Sequence, residues 1–146
     1  MQRRLRPWFR LLAFPAALGA AALAGAALAC SCVPPTSAAE QLEDADLLIV
    51  ATAAEVRRLP AEDDVRRMAE TRFTVSRTIK GEARRNWWIR HGRDSPMCGV
   101  EFRPGQEYVI IAHRAEGRMW TGLCSRGWFP IEDYERAAAA ATAPVD

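Results

Sequence analysis

The sequence lacks the parts by which most enzymes are recognised. It has only two histidines, His91 and His113, far apart and with no catalytic set around them, so both are expected at strand edges or on the surface. There is no Gly-rich phosphate loop, no G-x-S-x-G elbow, no internal repeat and no heptad pattern. Cysteines in the C-x₂₋₄-C clusters of a closed zinc site are missing too: Cys30 and Cys32 form C-x-C, while Cys98 and Cys124 stand apart. No catalytic residue, resident metal or cofactor is therefore expected.

Clustered positive charge is also missing once the start of the chain is set aside. Arg3, Arg4, Arg6 and Arg10 precede an uncharged Ala- and Leu-rich run over residues 11–29, which closes on Ala27-Leu28-Ala29, the small-x-small pattern of a signal-peptidase site. The reading is a signal peptide over residues 1–29 and a mature domain over residues 30–146. An uncleaved anchor is the alternative, but the many alanines, with Pro15, Gly19 and Gly25, make a weak lipid-facing helix. Without the four leader arginines, 20 basic residues become 16 against 18 acidic ones, a net charge of −2. Nucleic acid is thereby disfavoured as a partner.

What is present fits one small exported domain. All four cysteines lie after the leader, and an even count in an oxidising compartment implies two disulfides, with three possible pairings. Residues 36–44 are polar and Ala-rich without a strong period. Residues 45–56 open as a continuous apolar run and relax into alternation, as in a strand buried on both faces at its start. Pro60 with Glu62, Asp63 and Asp64 marks an exposed loop. A second strand over 72–79 directs Phe73, Val75 and, after a slip that fits a bulge, Ile79 toward a core. A third runs over 87–91, with Trp87 and Trp88 pointing to opposite sides.

Pro104-Gly105 suits a tight turn. The strongest strand spans 107–113, and a fifth is expected over 119–124, ending on Cys124. Pro130 and the acids after it open a short helix that runs into the alanines at 137–141. Five strands and a terminal helix give an all-β fold whose natural candidate is a five-stranded OB-fold barrel. Trp87, Trp88, Trp120 and Trp128 are expected mostly in packing, with an aromatic ligand platform as the other role. Arg57-Arg58 and Arg66-Arg67 read as a solvated edge.

Several motifs, taken together, resemble the tissue inhibitors of metalloproteinases. Cys30-Ser31-Cys32-Val33-Pro34-Pro35 is similar to their Cys-x-Cys mature start, Ala45-Asp46-Leu47-Leu48-Ile49 to their first strand, and Ile79-Lys80-Gly81 to the turn after their second. Cys98-Gly99-Val100, Glu107-Tyr108-Val109-Ile110-Ile111-Ala112 and Leu123-Cys124 follow in the family's order and spacing. The resemblance implies a netrin-like OB-fold and the disulfides Cys30–Cys98 and Cys32–Cys124.

The same resemblance implies a site and a partner, a zinc metalloprotease. The α-amine and carbonyl of Cys30 would chelate the protease's zinc, and Ser31 would enter its specificity pocket. Cys32, Val33 and Pro34 would lie along the cleft, with Ser95, Pro96, Met97 and Gly99 as a second contact edge. Three departures stand out: Glu43 occupies the place of a cysteine of the family's third disulfide, the family's C-terminal domain is not seen, and Met97 replaces a smaller residue. The contrasting expectation is a secreted or lipid-anchored binding module that inhibits nothing. A lipoprotein signal would also leave cysteine directly after the cut, although such sites prefer Leu three positions before it, where Ala27 stands. Membrane attachment is expected only with that lipidation or with an uncleaved leader; otherwise the protein is secreted, in the periplasm or the extracellular space.

Overall fold

The computed structural model describes residues 30–60, 67–93 and 98–143. Residues 1–29, read above as a leader, and residues 61–66, with the acids expected in a loop, lie outside the described residues.

Five antiparallel or parallel pairings close a barrel. The strands are β1 (Leu47–Arg58), β2 (Met68–Lys80), β3 (Asn86–Gly92), β4 (Glu107–Ala115) and β5 (Arg118–Trp120), in the spatial order β1-β2-β3-β5-β4 with β4 returning to β1. Only β3 and β5 are parallel. This is the order of a five-stranded OB-fold, closed between β3 and β4 by the three residues of β5.

Alternation along the strands separates two apolar clusters. Leu47, Ile49, Ala51 and Ala53 of β1 point into the barrel with Phe73, Trp87, Ile89, Phe102, Ile110 and Met119. Leu48, one residue out of phase, points the other way and joins Ile111, Leu42 and Tyr134 beneath two helices, α1 (Ala38–Asp44) and α2 (Ile131–Thr142). The start of β1 is thus buried on both faces, which is why its sequence is continuously apolar there.

The slip in β2 is a real irregularity of register. Pairing with β1 steps over one residue of β2 between Arg77 and Val75 and over another between Lys80 and Thr78. Each extra residue re-aims the strand. Phe73 and Val75 therefore serve the barrel core, whereas Ile79 packs against the helix-side cluster.

Residues 36–44, which carry no strong period, hold α1: Ser37 caps it by accepting from the Glu40 amide at 3.1 Å, and the Glu40 carboxylate accepts from the Thr36 hydroxyl and, at 2.7 Å, from the Thr36 amide. Those bonds from Thr36 hold the Glu40 carboxyl below its ordinary range. The fifth strand stops at Trp120; Leu123–Ser125 is a 3₁₀ turn instead. Thr121 still bonds to Arg90 on β3, and the chain then leaves the sheet at Gly122.

His91 is also not on a surface. Asn86, Trp88 and Arg90 face outward on β3, so Trp87, Ile89 and His91 share the inward parity. Gly92 O can only accept, so His91 Nδ1 donates to it at 3.1 Å, leaving Nε2 to accept from the Thr71 hydroxyl at 2.8 Å. The neutral ring fits this site, and burial pushes the imidazole below its ordinary value.

Candidate functional site

The segment at residues 30–35 belongs to no helix or strand; it is a strap laid on the end of the barrel. Two disulfides hold it, Cys30 to Cys98 with Cα atoms 5.6 Å apart and Cys32 to Cys124 with Cα atoms 5.2 Å apart. This is the pairing that the family resemblance implies. Fixing every second residue of an extended chain sends the intervening side chains away from the protein. Ser31, Val33 and Pro34 are accordingly exposed, while Cys30 and Cys32 are half-buried.

The far anchors are joined to each other. Cys98 O accepts from the Leu123 amide at 2.8 Å, one residue before Cys124. Cys98 itself has φ 50, in the left-handed region that a non-glycine residue occupies only at some cost. Val100, two residues on, donates to Gly92 O at the end of β3 at 2.9 Å. The strap thus rests on a connected platform drawn from β3, the 98–100 segment and the 3₁₀ turn.

Behind the strap, its other end runs through Pro34-Pro35 into α1. Gln41 of α1 donates from Nε2 to Arg126 O at 2.9 Å, two residues past Cys124. The Tyr134 hydroxyl of α2 donates to Gln41 Oε1 and accepts from the Trp128 amide at 3.0 Å. Both side chains are buried. Satisfied polar networks of this kind fix one arrangement of the segments they join, here α1, α2 and the chain after Cys124.

The site is an apolar rim on covalent supports. Val33 is 91% exposed and Leu123 40%, two of the three large hydrophobic side chains exposed among the described residues. Both neighbour cystine residues in sequence. Among the described residues no three His, Cys, Asp or Glu side chains gather to hold a metal ion. Chemically this edge presents backbone and small side chains to another surface.

Of the residues expected at the site, Cys30, Ser31, Cys32, Val33 and Pro34 lie along the strap, and Gly99 follows Cys98 directly. Ser95, Pro96 and Met97 lie outside the described residues. Leu123 was not anticipated as part of this edge; its signal was the Leu-Cys pair, read as a strand end and as a family motif.

The family model for tissue inhibitor of metalloproteinase matches residues 28–142. The chain belongs to that family. Comparison with curated proteins gives no significant match. The barrel is therefore a metalloproteinase-inhibitor-like module, its general kind of partner is a metalloproteinase, and its two disulfides fit a protein that matures outside the reducing cytosol.

Proposed function

We propose that the chain is exported, cut after Ala29, and inhibits zinc metalloproteases through the N-terminus thereby created at Cys30. The mature unit is then the single domain over residues 30–146. The α-amine and carbonyl oxygen of Cys30 act as a bidentate ligand of the protease's zinc and displace the water that would attack substrate. An α-amine titrates near ~8, so part of it is unprotonated at neutral pH and coordination drives off the remaining proton.

The observation that carries this reading is the covalent fixing of Cys30 to Cys98 next to exposed Ser31 and Val33. A tethered chelator loses less freedom on docking than a free terminus. In this arrangement Ser31 enters the specificity pocket, and Cys32, Val33 and Pro34 follow the substrate cleft. Ser95, Pro96, Met97 and Gly99 make the second edge. Pro34 and Pro35 keep the strap extended.

The first test is the chemistry of the exported protein's own N-terminus. Intact mass and N-terminal sequencing should give a chain starting at an unmodified Cys30 with two disulfides. A lipidated Cys30, or a chain that still carries the leader, has no free amine there and contradicts the proposal. That outcome leaves a membrane-attached binding module in its place.

A further inference from the structure

A second surface lies at the other end of β3 from the cystines. β3 starts at Asn86 and ends at Gly92, beside the 98–100 segment, so its two ends are roughly 20 Å apart at ~3.3 Å per residue. Around its start, and that of β5, opens a groove of about 490 Å³. Arg57, Arg84, Arg90, Arg114 and Arg118 line it together with Trp88.

Its charge is unbalanced. Among the described residues the only acid in the lining is Glu70, set against five arginines, which leaves a net +4 among them. Glu70 Oε1 is already shared by Arg90 at 3.0 Å and Arg118 at 3.2 Å. The carboxylates that meet Arg57 and Arg84, those of Glu55 and Glu82, are not part of the lining.

Two indoles complete the groove. Trp88 is 36% exposed, with the Arg57 guanidinium 4.4 Å above its ring. Trp87 lies in the wall, only 6% exposed and covered by Arg84 at 4.3 Å. Its Nε1 is buried and has no hydrogen-bond partner among the described residues. Buried indole N–H groups ordinarily find an acceptor.

We propose that this groove binds a sulfate or phosphate ester of a sugar. Its volume is that of a small-molecule site. Several guanidinium forks in one groove suit a tetrahedral oxyanion, with three free oxygens, better than a carboxylate with two. The exposed Trp88 ring offers the flat apolar surface on which the C–H face of a sugar rests. This site is separate from the cystine edge, and inhibition of a protease does not depend on it.

The test is titration of the folded, disulfide-bonded protein, with the indole N–H signals followed by NMR. Probes are a sulfated disaccharide, glucose 6-phosphate, a nucleoside monophosphate, inorganic sulfate and a neutral disaccharide. The two sugar esters should bind at least about tenfold tighter than inorganic sulfate, move the Trp88 signal, and weaken with added salt. Arg84→Ala combined with Arg114→Ala should lower that affinity at least about tenfold. Arg114→Ala alone serves if the pair does not fold. Inorganic sulfate binding as well as the esters, unmoved indole signals at saturation, or unchanged affinity in the variants would overturn the proposal. Tighter binding of the nucleoside monophosphate than of glucose 6-phosphate would overturn the assignment to sugar esters.

Discussion

The carbonyl of Cys98 accepts a hydrogen bond from the amide of Leu123 at 2.8 Å, so the two cystines share one joint. Cys98 holds Cys30, and the residue after Leu123 holds Cys32. The loops they close, with sequence separations of 68 and 92, are long. Opening the longer one with Cys32→Ser and Cys124→Ser should cost roughly 4 kcal/mol in the chain-entropy view. Urea unfolding measures it, and a loss below about 1 kcal/mol would mean that the joint and helix contacts alone fix the strap.

Gly81 and Gly105 separate two effects of adding a methyl group. Both have positive φ, 94° and 84°. A Cβ on Gly81 would stand 2.7 Å from Asp46 O and 3.0 Å from Leu47 Cδ1, at the start of β1, whereas one on Gly105 meets nothing within 4 Å. Gly105→Ala should cost about 1 kcal/mol from backbone strain alone, and Gly81→Ala about 2–4 kcal/mol. Equal losses in thermal or urea unfolding would contradict the close approach.

Tyr134→Phe should destabilise the protein by about 1–3 kcal/mol, because it removes the hydroxyl that serves Gln41, Trp128 and Phe129 at once. Hydrogen exchange should quicken at the Trp128 and Phe129 amides more than at β1 amides such as Ile49. Uniform quickening would mean that the hydroxyl contributes only to global stability.

His91 gives stability a pH dependence of known sign. Burial lowers its folded-state value below the ordinary 6.5, so the unfolded chain binds more protons between the two values. Its contribution is complete above about 6.5 and is lost as pH falls from there toward the folded value. Unfolding free energy measured from pH ~8 to ~5 should fall over that window, and His91→Gln should flatten it. Glu40 acts lower on the scale: its folded value lies below the ordinary 4.5, so its contribution is lost only as pH falls through that lower value. An unchanged slope in His91→Gln would assign the effect elsewhere.

The barrel was legible because each strand carries its own pattern: the doubly apolar start of β1, the slip in β2, the Trp87-Trp88 pair and the Pro104-Gly105 turn. The α1 helix was written in Ser37-x-x-Glu40, but seven residues give too few turns for a period to show against alanine. His91 was misplaced because isolated histidines suggest surface; counting parity from Trp87 would have turned it inward. The end of β5 was missed because Gly122, where the chain leaves the sheet for the turn that carries Cys124, was read as part of the strand. The site was legible as a motif, whereas Leu123 joins it only through its long-range bond to Cys98. The arginine groove was least legible, since its members come from β1, β3, β4, β5 and the turn before β3.

The central claim rests on one amine. Inhibition of a zinc metalloprotease should be measured for the protein beginning at Cys30 and for the same protein with one alanine added before it. Both keep the cystines and the barrel, and only the first can present its α-amine with the Cys30 carbonyl to the zinc. The account predicts inhibition by the Cys30 form and a loss of at least about 100-fold in the extended form, the equivalent of ~2.7 kcal/mol. Equal potency of the two forms would contradict it.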